Sequence, residues 1–307
     1  MSKQKVKRDI YQEVTDRIIE QLESGTPSWV KPWKGGNSAV SYMPYNADSK
    51  RAYSGINVLM LMSSPYSSNG WLTYNQAHKR GGQVIKGESG TLVTLFKRAQ
   101  GSKTNSEGDK ESFSYYLIRG YTVFNLEQIE WTGTTDRKTG ETIPANPPEQ
   151  PSPDELTSTT ADQLAAAVQA NVRVGGNKAC YIPSADQICI PALKQFSTQD
   201  EYDSTLLHEL THWTGHTSRM DRMKNFGKRF GDDAYAFEEL VAELGQAFLC
   251  AQMGIPHEQL QHSSYIAIWL KVLKGDKKAI FTASSQARQS NEWIHENSST
   301  ALEELAA

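Results

Sequence analysis

Very little in this sequence points to an exported or membrane-bound protein. Three cysteines in 307 residues (Cys180, Cys189 and Cys250) can close one bridge at most, so no disulfide framework holds the fold. No apolar run approaches the ~18 residues that a membrane-spanning helix needs. The opening Met1-Ser2-Lys3-Gln4-Lys5 lacks the apolar stretch of a secretory leader. A cytoplasmic location without membrane contact is therefore expected. No internal repeat is visible, which argues against a solenoid or propeller. Proline is also sparse, at 12 residues, yet five of them fall between Pro144 and Pro153. That cluster reads as a semi-rigid linker over residues 141–158, separating a domain at 1–140 from one at 159–307. Each is long enough to bury its own core, and independent folding is expected.

The net charge of −3 hides an uneven distribution. Residues 1–100 hold 14 Lys and Arg against 7 Asp and Glu, whereas residues 101–307 hold 18 against 28. A basic first part joined to an acidic second part suggests two tasks, one of them involving a polyanion. Helical periodicity over residues 7–23 and strand-like runs at 90–97 and 115–125, around a polar loop at 100–112, make the first part α+β. The second part reads as mainly helical with a small sheet. Short strands at 172–174, 179–183 and 187–191 precede helices near 199–214, 235–253 and 265–273. The overall class is α+β in two domains.

The most specific pattern is His208-Glu209-Leu210-Thr211-His212. Ser197 or Thr198 can cap this helix, with Glu201 three residues after Thr198, and Gly215 can end it. Residues four apart on a helix share a face, so His208 and His212 aim at one point. Glu209 lies one residue round, where a carboxylate reaches a water beside the metal and can act as general base. The next helix carries Glu238, Glu239 and Glu243 among the small residues Ala236 and Ala247. Glu239 is the favoured third ligand, with Glu238 the alternative and Glu243 orienting a histidine. The longer metzincin pattern would need a ligand at Ser218, and His216 sits beyond the helix end. A two-His-one-Glu set suits zinc, although another divalent metal is compatible. Tyr265 and His262 are candidates for stabilising an oxyanion.

Upstream, aromatic and basic residues interleave on Pro- and Gly-rich chain: Trp29, Lys31, Trp33 and Lys34, then Arg51, Tyr53 and Asn57, then Trp71, Lys79 and Arg80. Rings on which bases stack, beside cations that meet phosphates, suit single-stranded nucleic acid. The competing reading makes the tryptophans core plugs under a long loop. Lys271, Lys274, Lys277 and Lys278 read as a solvated face.

Three stretches near the start resemble the ArdC antirestriction family of conjugative plasmids: Pro27-Ser28-Trp29-Val30-Lys31-Pro32-Trp33, Tyr53-Ser54-Gly55-Ile56-Asn57 and Trp71-Leu72-Thr73-Tyr74-Asn75-Gln76-Ala77. They occur together with His208–His216 and Glu238–Leu244, in the family's order. The resemblance implies a domain that binds single-stranded DNA, similar to one in plasmid primases, followed by a zincin-like metallopeptidase domain. It also implies protection of incoming plasmid DNA, with a protein of the host restriction system as a candidate substrate. Glu239-x-x-Ala242 resembles the Glu-x-x-Ala that follows the histidine motif in other intracellular zincins. The alternative is an intracellular zinc peptidase whose first domain recruits proteins.

Overall fold

The computed structural model describes residues 8–25, 27, 29, 41–104, 110–136, 138–149, 160–222, 233–256 and 265–306. Helix α1 (Ile10–Glu23) starts at Asp9, whose carboxylate accepts from the Gln12 amide, and it buries Val14, Ile18 and Leu22. Next come β1 (Tyr45–Asn46), α2 (Ile56–Met62), β2 (Gly70–Thr73) and α3 (Tyr74–Lys79). Thr73 and Gln76 close a capping box at the start of α3. Then follow β3 (Gln83–Val84), β4 (Thr91–Thr104), β5 (Lys110–Asn125), β6 (Ile129–Glu130), β7 (Thr134–Thr135) and β8 (Thr142–Ile143). One sheet has the order β1-β2-β5-β4, while β3 pairs with β6 and β7 with β8.

The β4–β5 ladder runs unbroken from Thr91 opposite Val123 to Thr104 opposite Lys110. Residues 100–104 and 110–112, expected in a loop, are therefore strand. Their Gly, Ser and Lys content has low strand preference, but a partner strand decides pairing more than intrinsic preference does.

The second lobe begins with α4 (Ala161–Ala167), then β9 (Val172–Val174), β10 (Cys180–Ile182) and β11 (Gln187–Ile190) in the order β10-β11-β9. Helices α5 (Gln199–Thr214), α6 (Asp233–Met253), α7 (Ile266–Gly275) and α8 (Ala279–Ala306) follow. The β10–β11 hairpin turns at Asp186, whose φ is +46°. Arg219 ties that turn to the end of α5: it donates to Asp186 Oδ2 at 3.0 Å and to the Trp213 carbonyl at 2.7 Å. Its guanidinium also stacks 3.7 Å from the Trp213 ring centroid. Helix α5 is buried on every side from Tyr202 to Thr214, which explains why its sequence shows no clear polar stripe.

The lobes expected to fold independently share a core. One core contains Val14, Ile18 and Leu22 of α1 and Val58, Leu59 and Met60 of α2 together with Leu240, Val241 and Leu244 of α6, Trp269 of α7 and Ile280 of α8. Trp29 is 1% exposed and meets Trp269 edge-on, with centroids 6.2 Å apart. Lys274 and Lys277 keep solvent exposure, as expected of a solvated face, while pairing with Glu23 at 2.6 Å on α1 and with its cap Asp9. The start of the proline-rich segment is also docked, with the Asn146 amide donating to the Arg80 carbonyl at 2.8 Å. A linker's composition says how stiff it is; it does not say whether the lobes it joins share an apolar face.

Candidate metal centre

Thr198 caps α5 as its sequence suggests, accepting from the Glu201 amide, and Gly215 ends the helix. The close approach of α6 depends on Gly245, where any β-carbon would collide with the Thr211 side chain. With the two backbones pressed together, Glu239 reaches the ring nitrogens of α5. Its Oε2 lies 3.6 Å from His208 Nε2, and its Oε1 lies 3.6 Å from His212 Nε2. Two ligand bonds of ~2.0–2.2 Å at a tetrahedral angle separate their atoms by about 3.3–3.6 Å. The observed spacing is long for a hydrogen bond and right for two groups sharing an ion. His208, His212 and Glu239 are all buried, with ligand atoms within 4.8 Å of one another.

The groups behind these three fix their orientation. His208 Nδ1 lies 3.2 Å from Gln246 Oε1, so the ring donates there and turns Nε2 toward Glu239. His212 Nδ1 lies 3.5 Å from Glu238 Oε1. Glu238 is held by Arg222, which donates to Oε1 at 2.8 Å and to Oε2 at 3.2 Å. Arg222 also donates to the Thr211 carbonyl, Thr214 Oγ1 and Ser290 Oγ, which fixes it against α5 and α8. Glu238, the alternative ligand, therefore sits behind His212. Gln246 and Glu238 stand behind the two imidazoles, and Glu243, for which the sequence suggested such a role, is fully buried on α6.

The electrostatics favour a cation at this point. Burial opposes charging His212, but Glu238 and Glu239 outweigh it and push its pKa up to about 10. Burial likewise opposes charge on Glu239, yet His208 and His212 hold its carboxyl far below the usual range. Glu209 is 7% exposed on the same helix and close enough to β10 for its charge to act on Cys180. Tyr265 and Tyr235 lie beside Glu239, with ring centroids 6.0 Å apart. Burial and then the charge of Glu239 raise both phenols, leaving them as protonated donors. His262 lies outside the described residues, and His216 is bonded to Ser218 at 2.8 Å.

Two supporting residues were not foreseen. Gln246 follows Glu239 by seven positions, so the helical repeat itself could have flagged it. Arg222 lies in irregular chain beyond Gly215, where no spacing rule applies.

The residues expected to meet nucleic acid fare differently. Trp29 and Trp71 are each 1% exposed and lie in cores, so neither offers a free ring face. Trp71 packs with Leu61, Val93 and Val123. Tyr53 is half-buried against two clusters. Asn57 is engaged with β4, donating to the Thr94 carbonyl at 2.8 Å and accepting its amide at 2.7 Å. Arg80 pairs with Asp48 at 2.8 Å, while Arg51 and Lys79 are exposed. Lys31, Trp33 and Lys34 lie outside the described residues.

Two family models match the chain. Residues 8–124 match the family described as the N-terminal domain of anti-restriction factor ArdC. Residues 159–286 match the zincin-like metallopeptidase family, which implies a divalent metal. The crystal structure of metal-free antirestriction protein ArdC from plasmid R388 is 37% identical, covering 95% of this chain and 99% of that one, with a TM-score of 0.74. Its Mn(II)-bound form gives 0.71. An uncharacterized protein, y4eC of Sinorhizobium fredii, is 36% identical over 95% of this chain and 94% of its own length. DNA primase TraC of Escherichia coli is 36% identical over 94% of this chain, which spans only 27% of that primase.

Proposed function

This chain belongs to the ArdC antirestriction family, and on that footing we propose that it is a zinc-dependent peptidase that also binds single-stranded DNA. It acts in the cytoplasm, where it protects incoming DNA from restriction during conjugation. The observation that carries the peptidase reading is the buried His208, His212 and Glu239 cluster with Glu209 on the same helix. A site that only stabilised the fold would have no use for that carboxylate. Support for the DNA reading comes from the matched family and from the positive balance of residues 1–100. We assign residues 1–140 and 159–307 to the two functions, joined at the shared core.

His208, His212 and Glu239 would hold the zinc, which would supply a Lewis acid for a peptide carbonyl. Gln246 and Glu238 keep the imidazoles turned toward the shared point, and Arg222 keeps Glu238 in place. Glu209 takes the proton of the attacking water and returns it to the amine nitrogen as the peptide C–N bond breaks. Strand β10 is an edge of its sheet and packs against α5, so an extended substrate can pair along it. Tyr235 and Tyr265, beside Glu239, can donate to developing negative charge.

The test is digestion of an unfolded protein by the zinc-loaded full chain, read by mass spectrometry of the fragments. Wild type should cut, and Glu209→Gln should keep its zinc and lose cutting. Equal cutting by both would remove Glu209 from the reaction, and none from loaded wild type would leave the metal a structural role. Transfer of unmodified DNA into a restricting recipient then ranks the two activities. Binding of DNA needs no dedicated protein target, so protection should largely survive Glu209→Gln.

A further inference from the structure

The hairpin of β4 and β5 projects a surface that neither core uses. Residues opposite each other in an antiparallel pair share a face, and the face alternates along each strand. The pairs Val93–Tyr121, Leu95–Arg119, Lys97–Leu117, Ala99–Tyr115 and Gly101–Phe113 therefore lie on one side. At the base, Val93 is buried against α2 and Trp71. Beyond it the side opens: Leu95 is 51% exposed, Tyr121 42%, Tyr115 41% and Phe113 50%. An apolar stripe this long on a solvent-facing sheet marks an interaction surface.

The form of the stripe selects its partner. Gly101 has no side chain, and a β-carbon there would lie 2.8 Å from Phe113 Cζ and 3.2–3.3 Å from its Cε atoms. The Phe113 ring thus lies flat across the strand, with its outer face turned to solvent. Tyr115 follows on the same side, its ring centroid 5.8 Å away. Two cations share this side with the rings: Lys97, opposite Leu117, and Arg119, opposite Leu95. Among the described residues Lys97 and Arg119 form no ion pair. Flat rings in register with uncompensated cations match a polyanion that displays free aromatic faces. A duplex hides its base faces, whereas a single strand offers them.

We propose that this face of the hairpin, through Phe113, Tyr115, Tyr121, Lys97 and Arg119, is where the chain holds single-stranded DNA. The assignment rests on the reading above that the protein binds such DNA, and it moves the stacking platform from Trp29 and Trp71 to the hairpin. The opposite face, with Tyr116 exposed and Arg98 bonded to Ser114 at 3.1 Å, serves as the internal comparison.

The experiment is fluorescence anisotropy of a labelled oligothymidine with the full chain, in a salt series, for wild type and three variants. The Phe113→Ser/Tyr115→Ser variant should bind about ten- to a hundredfold more weakly, since base stacking on a ring is the term removed. Lys97→Gln/Arg119→Gln should reduce the log–log salt slope by about 1.4, or about 0.7 for each phosphate no longer neutralised. Tyr116→Ser should bind within about twofold of wild type, and all variants should keep the wild-type melting temperature, because the rings are outside the core. If wild type binds and both hairpin variants bind equally well, the surface is misassigned while the DNA reading stands. If wild type does not bind, both are overturned. Unchanged DNA affinity with a shift in sedimentation would make the face an interface between copies instead, which also overturns the proposal.

Discussion

The side chains gathered between α5 and α6 and those spread along β4 and β5 are organised in opposite ways. At the metal centre each group is buried and held by another: Gln246 behind His208, Glu238 behind His212, Arg222 behind Glu238. On the hairpin the rings and cations stand in water, fixed mainly by strand alternation. The first arrangement sets atoms to within a fraction of an ångström, as metal ligation requires, and it fails in steps when one member is removed. The second suits a flexible partner that makes several similar contacts, and its loss should be graded. What the two regions share is the core between the lobes, so a change there should affect both.

The largest effect expected is at the ligands themselves. His208→Ala should lower bound metal from about one ion per chain to background, read by elemental analysis, with oligothymidine binding retained; loss of both would break the separation of the two sites. Next is Glu209→Gln, which should retain the ion and lower the rate of peptide hydrolysis by about 10²–10⁴-fold. Trp29→Ala crosses the comparison. It removes a ring buried in the shared core and should cost about 3–5 kcal/mol, with metal release and loss of DNA binding on one melting curve. A variant that melts normally and loses only DNA affinity would restore Trp29 as a platform. Arg222→Met should weaken metal binding by about 10–100-fold through the freed Glu238, whereas Arg222→Lys should recover part of it. The smallest effect is expected at Gly245→Ala. Helix preference alone would favour alanine, but the collision with Thr211 should reverse the sign and cost roughly 1–3 kcal/mol, read from the melting temperature.

These two regions also differ in how far they could be read beforehand. His208, Glu209, His212 and Glu239 follow helical spacing, and spacing along one helix or between adjacent helices survives in sequence. Arg222 does not, because irregular chain brings it to Glu238. The tryptophan–lysine segment is ambiguous for a different reason. A ring among basic residues looks the same in sequence whether it faces solvent or a neighbouring helix, and Trp29 and Trp71 face inward. In the hairpin the alternation of Phe113, Tyr115, Leu117, Arg119 and Tyr121 was present, but the polar chain around residue 105 hid that the ladder continues to Thr104 and Lys110. Helix α1 has an evident apolar stripe; that it packs against α7 and, through Tyr11 and Phe281, α8, far along the chain, is a property of the assembled core.

The chemistry of the metal centre depends most on Glu239 being the third ligand and Glu238 the residue behind His212. Zinc analysis of the purified full chain, with Glu239→Gln and Glu238→Gln alongside, tests that assignment directly, with circular dichroism to establish folding. The prediction is about one zinc in wild type, background in Glu239→Gln, and a reduced but measurable content in Glu238→Gln. Full retention in Glu239→Gln, or loss in Glu238→Gln alone, would contradict it.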